Sequence, residues 1–297
     1  MREHLLRNML YVPAYQEKFI EKSLSAPADA LIYDLEDSVP PMFKEDARRI
    51  LKKYLDSGAL HNKKVFIRLN PIESDMLLDD LKAVMHRDVF GFVTAKFYTA
   101  RDTEYYDEVL TKFEKNNGLE EGHFKLAPLI ETTQAVMNIY DICKASKRVV
   151  AVCFGGEDFL NDLEGVHGNP PQALNYPRAA IAVAARAAGV QPIDTPYLAV
   201  HDEEGFLQEE RLSYEMGFAG VQVLSPRQIP LANKCFTPDD QEVERSLGIM
   251  EACRKAEQEG SGVVMYNGKM VGPPMRKRAQ KVLEIMELIR KNDERIS

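Results

Sequence analysis

Short apolar runs alternating with amphipathic helical stretches, repeated eight times, constrain this chain more than any other feature of its sequence. Runs of strand length begin at Asn8, Ala30, Val65, Phe90, Leu126, Val149, Gln191 and Ala219, and apolar residues at helical spacing fill the stretches between them. Each strand-plus-helix unit takes roughly 25 to 30 residues, the length of one βα step. Strands joined by helical crossovers run parallel, and the crossovers are right-handed. Eight regular units close a (β/α)8, or TIM, barrel, whereas a doubly wound open sheet rarely needs so many. The expected fold class is therefore α/β, with a (β/α)8 barrel over residues 1–235 and a C-terminal helical extension over residues 236–297. In that extension, helical patterns from Pro238 to Gln258 and from Pro274 to Asn292 flank a Gly-rich, strand-like piece from Gly260 to Gly268. The break at Glu259 to Gly262 reads as a hinge to a lid or an oligomer contact.

A barrel carries its chemistry at the carboxyl ends of its strands, and there this chain sets Asp34, Glu36, Arg68, Glu131 and Asp158. Glu131 ends the run Leu126 to Ile130, and Asp158 follows Gly155-Gly156 at the end of the next run. The crossover between those runs brings both carboxylates to the same edge of the sheet. Such a pair suits a hard divalent cation such as Mg2+, which takes oxygen ligands and keeps water sites for a substrate. The competing reading makes Glu131 a cap for the next helix and Asp158 the end of a loop. Arg68, at the end of the run VFIRL, either clamps a substrate carboxylate or pairs with Glu36 or Asp37. A metal beside an arginine is built to hold a 2-oxo acid, with the metal on the keto oxygen and one carboxylate oxygen. That arrangement serves reversible carbon–carbon cleavage of a β-hydroxy acyl compound. Lys18 and Lys22 share a face of the first helix and either meet a phosphorylated carrier or form a solvated face.

The remaining features exclude more than they assign. A formal charge of -8, from 38 basic and 46 acidic residues, argues against nucleic acid as a partner, so an anionic ligand must be met by local positive charge. The 4 cysteines form no CxxC pair and read as reduced packing residues of a cytoplasmic protein. Met1 is followed at once by charged residues, and no apolar run approaches the roughly 20 residues that span a bilayer, so a soluble protein without a membrane partner is expected. His4, His61, His86, His123, His167 and His201 show neither HxH nor HExxH spacing, which makes zinc an unexpected metal. Gly155-Gly156 is no dinucleotide fingerprint and instead lets backbone approach the acidic residues. GxSxG and P-loop patterns do not occur.

Many ordered blocks resemble the citrate lyase β-subunit family. They are RNMLYVPA from Arg7, ADALIYDLEDSV from Ala28, FIRLN from Phe66, IET from Ile130, GGEDFLNDL from Gly155 and AARAAGVQPIDTPY from Ala184. DEEGFLQE from Asp202, GFAGVQVLSPRQI from Gly217 and NGKMVGPP from Asn267 extend the match over nearly the whole chain. The wider family, which includes malyl- and citramalyl-CoA lyases, consists of (β/α)8 barrels that use Mg2+ to cleave or form β-hydroxy acyl thioesters. The resemblance implies Glu131 and Asp158 as Mg2+ ligands and Arg68 as the substrate carboxylate clamp. It implies that Tyr11, Lys18 and Lys22 lie near the thioester carrier, either coenzyme A or an acyl carrier protein. It further implies a homo-oligomer, trimer or hexamer, with room for other lyase subunits. The expected function is Mg2+-dependent cleavage of a citryl-like acyl thioester to oxaloacetate and an acyl thioester.

The chain also departs from the family pattern. The position of the family's enolate-protonating acid is Gly272, Ser225 begins the SPRQ block, Ala14 replaces a glycine, and Thr94-Ala95-Lys96 stands where relatives have Leu-Pro-Lys. Two alternatives follow: a stand-alone malyl- or citramalyl-CoA-type lyase or thioesterase, and a non-catalytic relative that binds oxo acid and acyl-CoA. Gly272 favours the second.

Overall fold

The apolar runs assemble as the strands of one closed, parallel eight-stranded barrel in the computed structural model, which describes residues 4–166, 168 and 172–296. The first four strands are β1 (Asn8–Pro13), β2 (Ala30–Asp34), β3 (Val65–Leu69) and β4 (Val89–Thr94). The second four are β5 (Lys125–Ile130), β6 (Ala151–Phe154), β7 (Gln191–Asp194) and β8 (Gly220–Val223). Each strand pairs with its neighbours in sequence, and β1 closes on β8 through Asn8↔Val221, Met9↔Gln222 and Leu10↔Val223. Around them run α1 (Glu17–Leu24), α2 (Lys44–Asp56), α3 (Leu77–Val84), α4 (Ala100–Asn116) and α5 (Thr133–Lys144), then α6 (Gly156–Asp162), α7 (Asn175–Ala188), α8 (Glu203–Met216) and α9 (Gln228–Phe236). Gly189 ends α7 with φ 83, a left-handed C-cap that favours glycine.

The period of two decides what fills the barrel. Met9, Ala30, Ile32, Phe66, Val93, Ala127, Leu129, Ala151, Cys153 and Ile193 alternate inward and belong to one buried cluster. Two residues on from the inward positions, at the carboxyl ends, the same parity presents Asp34, Arg68 and Glu131. The outward alternates, among them Tyr33, Phe92 and Phe154, are fully buried beneath the surrounding helices.

Three local features differ from the sequence expectation. The seven residues of α6, which follow Gly155 as N-cap, are too few to show periodicity. The helix α9 starts three residues after Ser225 and contains Pro230, yet buries Ile229, Ala232, Cys235 and Phe236 at helical spacing. Strand β6 starts at Ala151, because Val149 makes only an isolated bridge to Leu126.

Leu6–Cys235 form one compact unit, and Phe236–Ser297 with Met1–Leu5 form a second. The second contains α10 (Asp240–Gln258), α11 (Pro273–Ile296) and a hairpin of β9 (Met265–Tyr266) and β10 (Lys269–Met270). Positive φ at Asn267 and Gly268 gives the turn that such a two-residue connection requires. Ile249, Cys253, Val271 and Ala279 form this unit's own core cluster. Among the described residues no helix is long and apolar enough to cross a membrane. The four cysteines are unpaired and buried.

Candidate active site

Asp34 and Arg68 are direct register partners on β2 and β3, so their side chains meet inside the barrel mouth. The guanidinium forks onto Asp34, with Nε and Nη2 donating at 2.7 Å each. Its remaining nitrogen, Nη1, lies 3.1 Å from Glu36 Oε2 and 3.3 Å from Asp37 Oδ2. Below it the ring of Tyr11 presents its face, 4.9 Å from Cζ. Burial pushes the Asp34 carboxyl up, but Arg68 and the N–H groups of Glu36 and Ser38 overcome that and hold it below the ordinary value. Lys44 fixes the loop itself, donating from Nζ to the carbonyls of Leu35 and Glu36 and to Asn70 Oδ1 at 2.7 to 2.8 Å. Glu36 is buried, and burial, with Asp37 and Asp34 nearby, raises its carboxyl to about 7 against the pull of Arg68.

Across the mouth, Glu131 does not cap α5. Thr132 does, its side chain accepting from Ala135 N–H, and this frees the Glu131 carboxylate to point into the barrel end. Oε1 of Glu131 accepts the N–H of Lys96 at 2.6 Å. Asp158 sits in the first turn of α6 rather than at the end of a loop. Burial pushes the Glu131 carboxyl up to about 8, and the negative charges of Asp158 and Glu36 add to the rise. Asp158 is raised as well, first by loss of surrounding water and then by Asp37. Gly155 makes this approach possible: a β-carbon there would lie 2.7 Å from Glu131 Cβ and 3.1 Å from its Oε2. The neighbouring Gly156 N–H donates to Thr195 Oγ1 at 2.9 Å.

A Mg2+ ion fits this donor set, because two mutually repelling carboxylates at the rim of a barrel are the partners a hard cation would neutralise. No group of three or more His, Cys, Asp or Glu side chains able to hold a metal gathers among the described residues. Two such carboxylates would suit Mg2+, which keeps several waters of its own, better than a closed structural zinc.

The other expected site residues divide. Tyr11 lies inside, its hydroxyl donating to Gln222 Oε1 at 2.9 Å. Lys18 and Lys22 are exposed on α1, Lys18 in the turn nearest the mouth and Lys22 roughly 6 Å further along the helix axis. Lys18 Nζ stands 4.9 Å from the Phe19 ring centroid. His167 lies outside the described residues. Sequence reasoning missed Gln222, a lone amide in an otherwise apolar strand, and that isolation was its signal. Its Nε2 donates to the carbonyls of Phe154 and Asp194 at 2.9 and 3.0 Å.

Fold and mouth together define a parallel-barrel enzyme whose charged groups gather at the carboxyl ends of the strands. The chain belongs to the HpcH/HpaI aldolase/citrate lyase family, whose model matches residues 7–226, and with it to the lyases. Citrate lyase subunit beta of Haemophilus influenzae is 35% identical over 280 residues, which cover 94% of this chain and 96% of that protein. Among solved structures, CitE of Mycobacterium tuberculosis in complex with magnesium, acetoacetate and coenzyme A superposes with a TM-score of 0.76 at 22% identity, covering 97% of this chain and all of that one. A citrate lyase beta subunit from the same organism, complexed with oxaloacetate and magnesium, superposes with a TM-score of 0.67 at 24% identity over 80% of this chain and 99% of its own.

Proposed function

We propose that this protein is a Mg2+-dependent carbon–carbon lyase that cleaves a citryl-like β-hydroxy acyl thioester into oxaloacetate and an acyl thioester. The observation that carries the reading is the inward pair of Glu131, just after β5, and Arg68 on β3, with Asp158 beside the first and acidic partners already holding the second. Glu131 and Asp158 would hold the metal, which when bound supplies a Lewis acid for the oxygen that gains charge as the bond breaks. Arg68 holds the oxo-acid carboxylate through Nη1, where the ligand displaces the exposed Asp37, while the fork stays on Asp34. In the cleavage step the β-hydroxyl loses its proton, the carbon–carbon bond breaks, and its electron pair passes to the thioester enolate, which then takes up a proton. Glu36, titrating near 7 and buried beside Arg68, is the group placed to accept the hydroxyl proton and return it.

The carrier is coenzyme A or an acyl carrier protein, and Tyr11, Lys18 and Lys22 mark the side of the mouth from which it enters. The C-terminal unit serves as a lid or a subunit contact in a homo-oligomer. Buried, unpaired cysteines fit a cytoplasmic location.

Glu131→Gln and Asp158→Asn are each expected to abolish Mg2+-dependent binding of oxaloacetate in calorimetry and to leave the circular dichroism spectrum unchanged. Parent-like affinities in both variants would place the metal elsewhere. A panel of acyl-CoA thioesters with Mg2+ then separates a lyase, which releases oxo acid, from a thioesterase, which releases free thiol.

A further inference from the structure

Two residues past the end of β4, Lys96 adopts φ 54, a left-handed conformation disfavoured for a residue with a β-carbon. That turn aims its N–H at Glu131 Oε1, 2.6 Å away. Strain of this kind persists where the surroundings over-determine it, and here the surroundings are the candidate site. The side chain is exposed, and its charge acts on Tyr98 in its own loop and on Asp158 in the first turn of α6. Because β5 lies between β4 and β6, the β4 loop that carries Lys96 and the α6 turn that carries Asp158 flank the end of β5, where Glu131 sits.

The ammonium is also available. Arg68 has every nitrogen engaged, Nε and Nη2 by Asp34 and Nη1 by Glu36 and Asp37, so it can take one ligand carboxylate at most, by exchange. Among the described residues no ion pair takes up the Lys96 charge. A flexible, point-like ammonium suits a carboxylate at the far end of a small ligand better than a rigid fork does.

We propose that Lys96 is the residue that selects dicarboxylic over monocarboxylic 2-oxo acids, its ammonium meeting the ligand's second carboxylate while its backbone N–H positions Glu131. This rests on the oxo-acid reading above. It divides the residue's work between two atoms, and the division can be tested.

Lys96→Met keeps the N–H and an unbranched chain but removes the charge, and Lys96→Gly removes the side chain where glycine is at ease. The probes are oxaloacetate and pyruvate, titrated calorimetrically into the parent and both variants in the presence of Mg2+. Both variants are expected to bind oxaloacetate about tenfold more weakly and pyruvate within about twofold of the parent. Equal losses for the two acids would overturn the proposal in favour of an action through Glu131 alone, and unchanged affinity for oxaloacetate would overturn it outright. A parent that binds neither acid in Mg2+ would sink the oxo-acid reading itself, and the role of Lys96 with it.

Discussion

Neither carboxylate oxygen of Glu210 makes a hydrogen bond to another described residue, although the side chain is wholly buried on α8. Burial, then the charge of Asp194 and the nearby Glu209, keep its proton on, against the pull of Arg178. Its folded-state value therefore lies above the unfolded one of about 4.3, and the folded protein holds a proton that the unfolded chain releases. The stability tied to that proton is fully present below about pH 4.3 and declines as pH rises toward the folded value. Glu210→Gln, which mimics the protonated form, should raise the urea midpoint at pH 8 and leave it nearly unchanged at pH 4. The opposite pattern would mean that Glu210 is ionised in the fold. Gly155 makes a second residue-scale case, because its missing β-carbon leaves room for Glu131. Gly155→Ala should displace that carboxylate and weaken Mg2+ binding by about 10- to 100-fold, the range seen when the groups that orient a metal ligand are changed. Calorimetry with Mg2+ alone reads this directly, and unchanged affinity would show that Glu131 is not a ligand.

At the scale of elements, Gly272 stands just before α11, and its carbonyl accepts the N–H groups of Met275 and Arg276, as an N-cap residue does. A β-carbon there meets only Pro274 Cδ at 3.6 Å, an ordinary contact. Gly272→Asp should therefore fold and gain about a few tenths of a kcal/mol from the better cap. If α11 begins with the family's lid acid deleted, the same variant should raise oxo-acid release from at least one acyl-CoA by up to about 10²- to 10⁴-fold. A stable variant with no rise, against a parent of ordinary turnover, would assign the proton to Glu36. The elements themselves were largely legible in the sequence. VFIRL places Arg68 two residues beyond Phe66, so the period of two puts both inside the barrel. Alternation says nothing of register, however. The sequence left Arg68 between a substrate and Glu36 or Asp37, whereas pairing of β2 with β3 sets Asp34 directly opposite and gives it the fork. Lys96 was harder still, since no glycine or asparagine announces its left-handed turn.

For the whole molecule, the barrel's interior cluster draws on inward positions of every strand from β1 to β7, whereas the C-terminal unit relies on Ile249, Cys253, Val271 and Ala279. Local stability follows buried apolar packing, so amides of α10 and α11 should exchange with deuterium faster than those of the barrel strands. Equal protection in both would show that the two units unfold as one. Inside the barrel, Gln222 receives the Tyr11 hydroxyl on its oxygen and gives its amide hydrogens to carbonyls at the ends of β6 and β7. Tyr11 in turn underlies Arg68, while β6 leads directly into Gly155 and Asp158. For protein engineering, this means that the Asp158 side and the Arg68 side of the mouth hang on one amide. A designer who reshapes the end of β6 also moves the floor under the arginine, and variants intended to retune one side need to be screened on both.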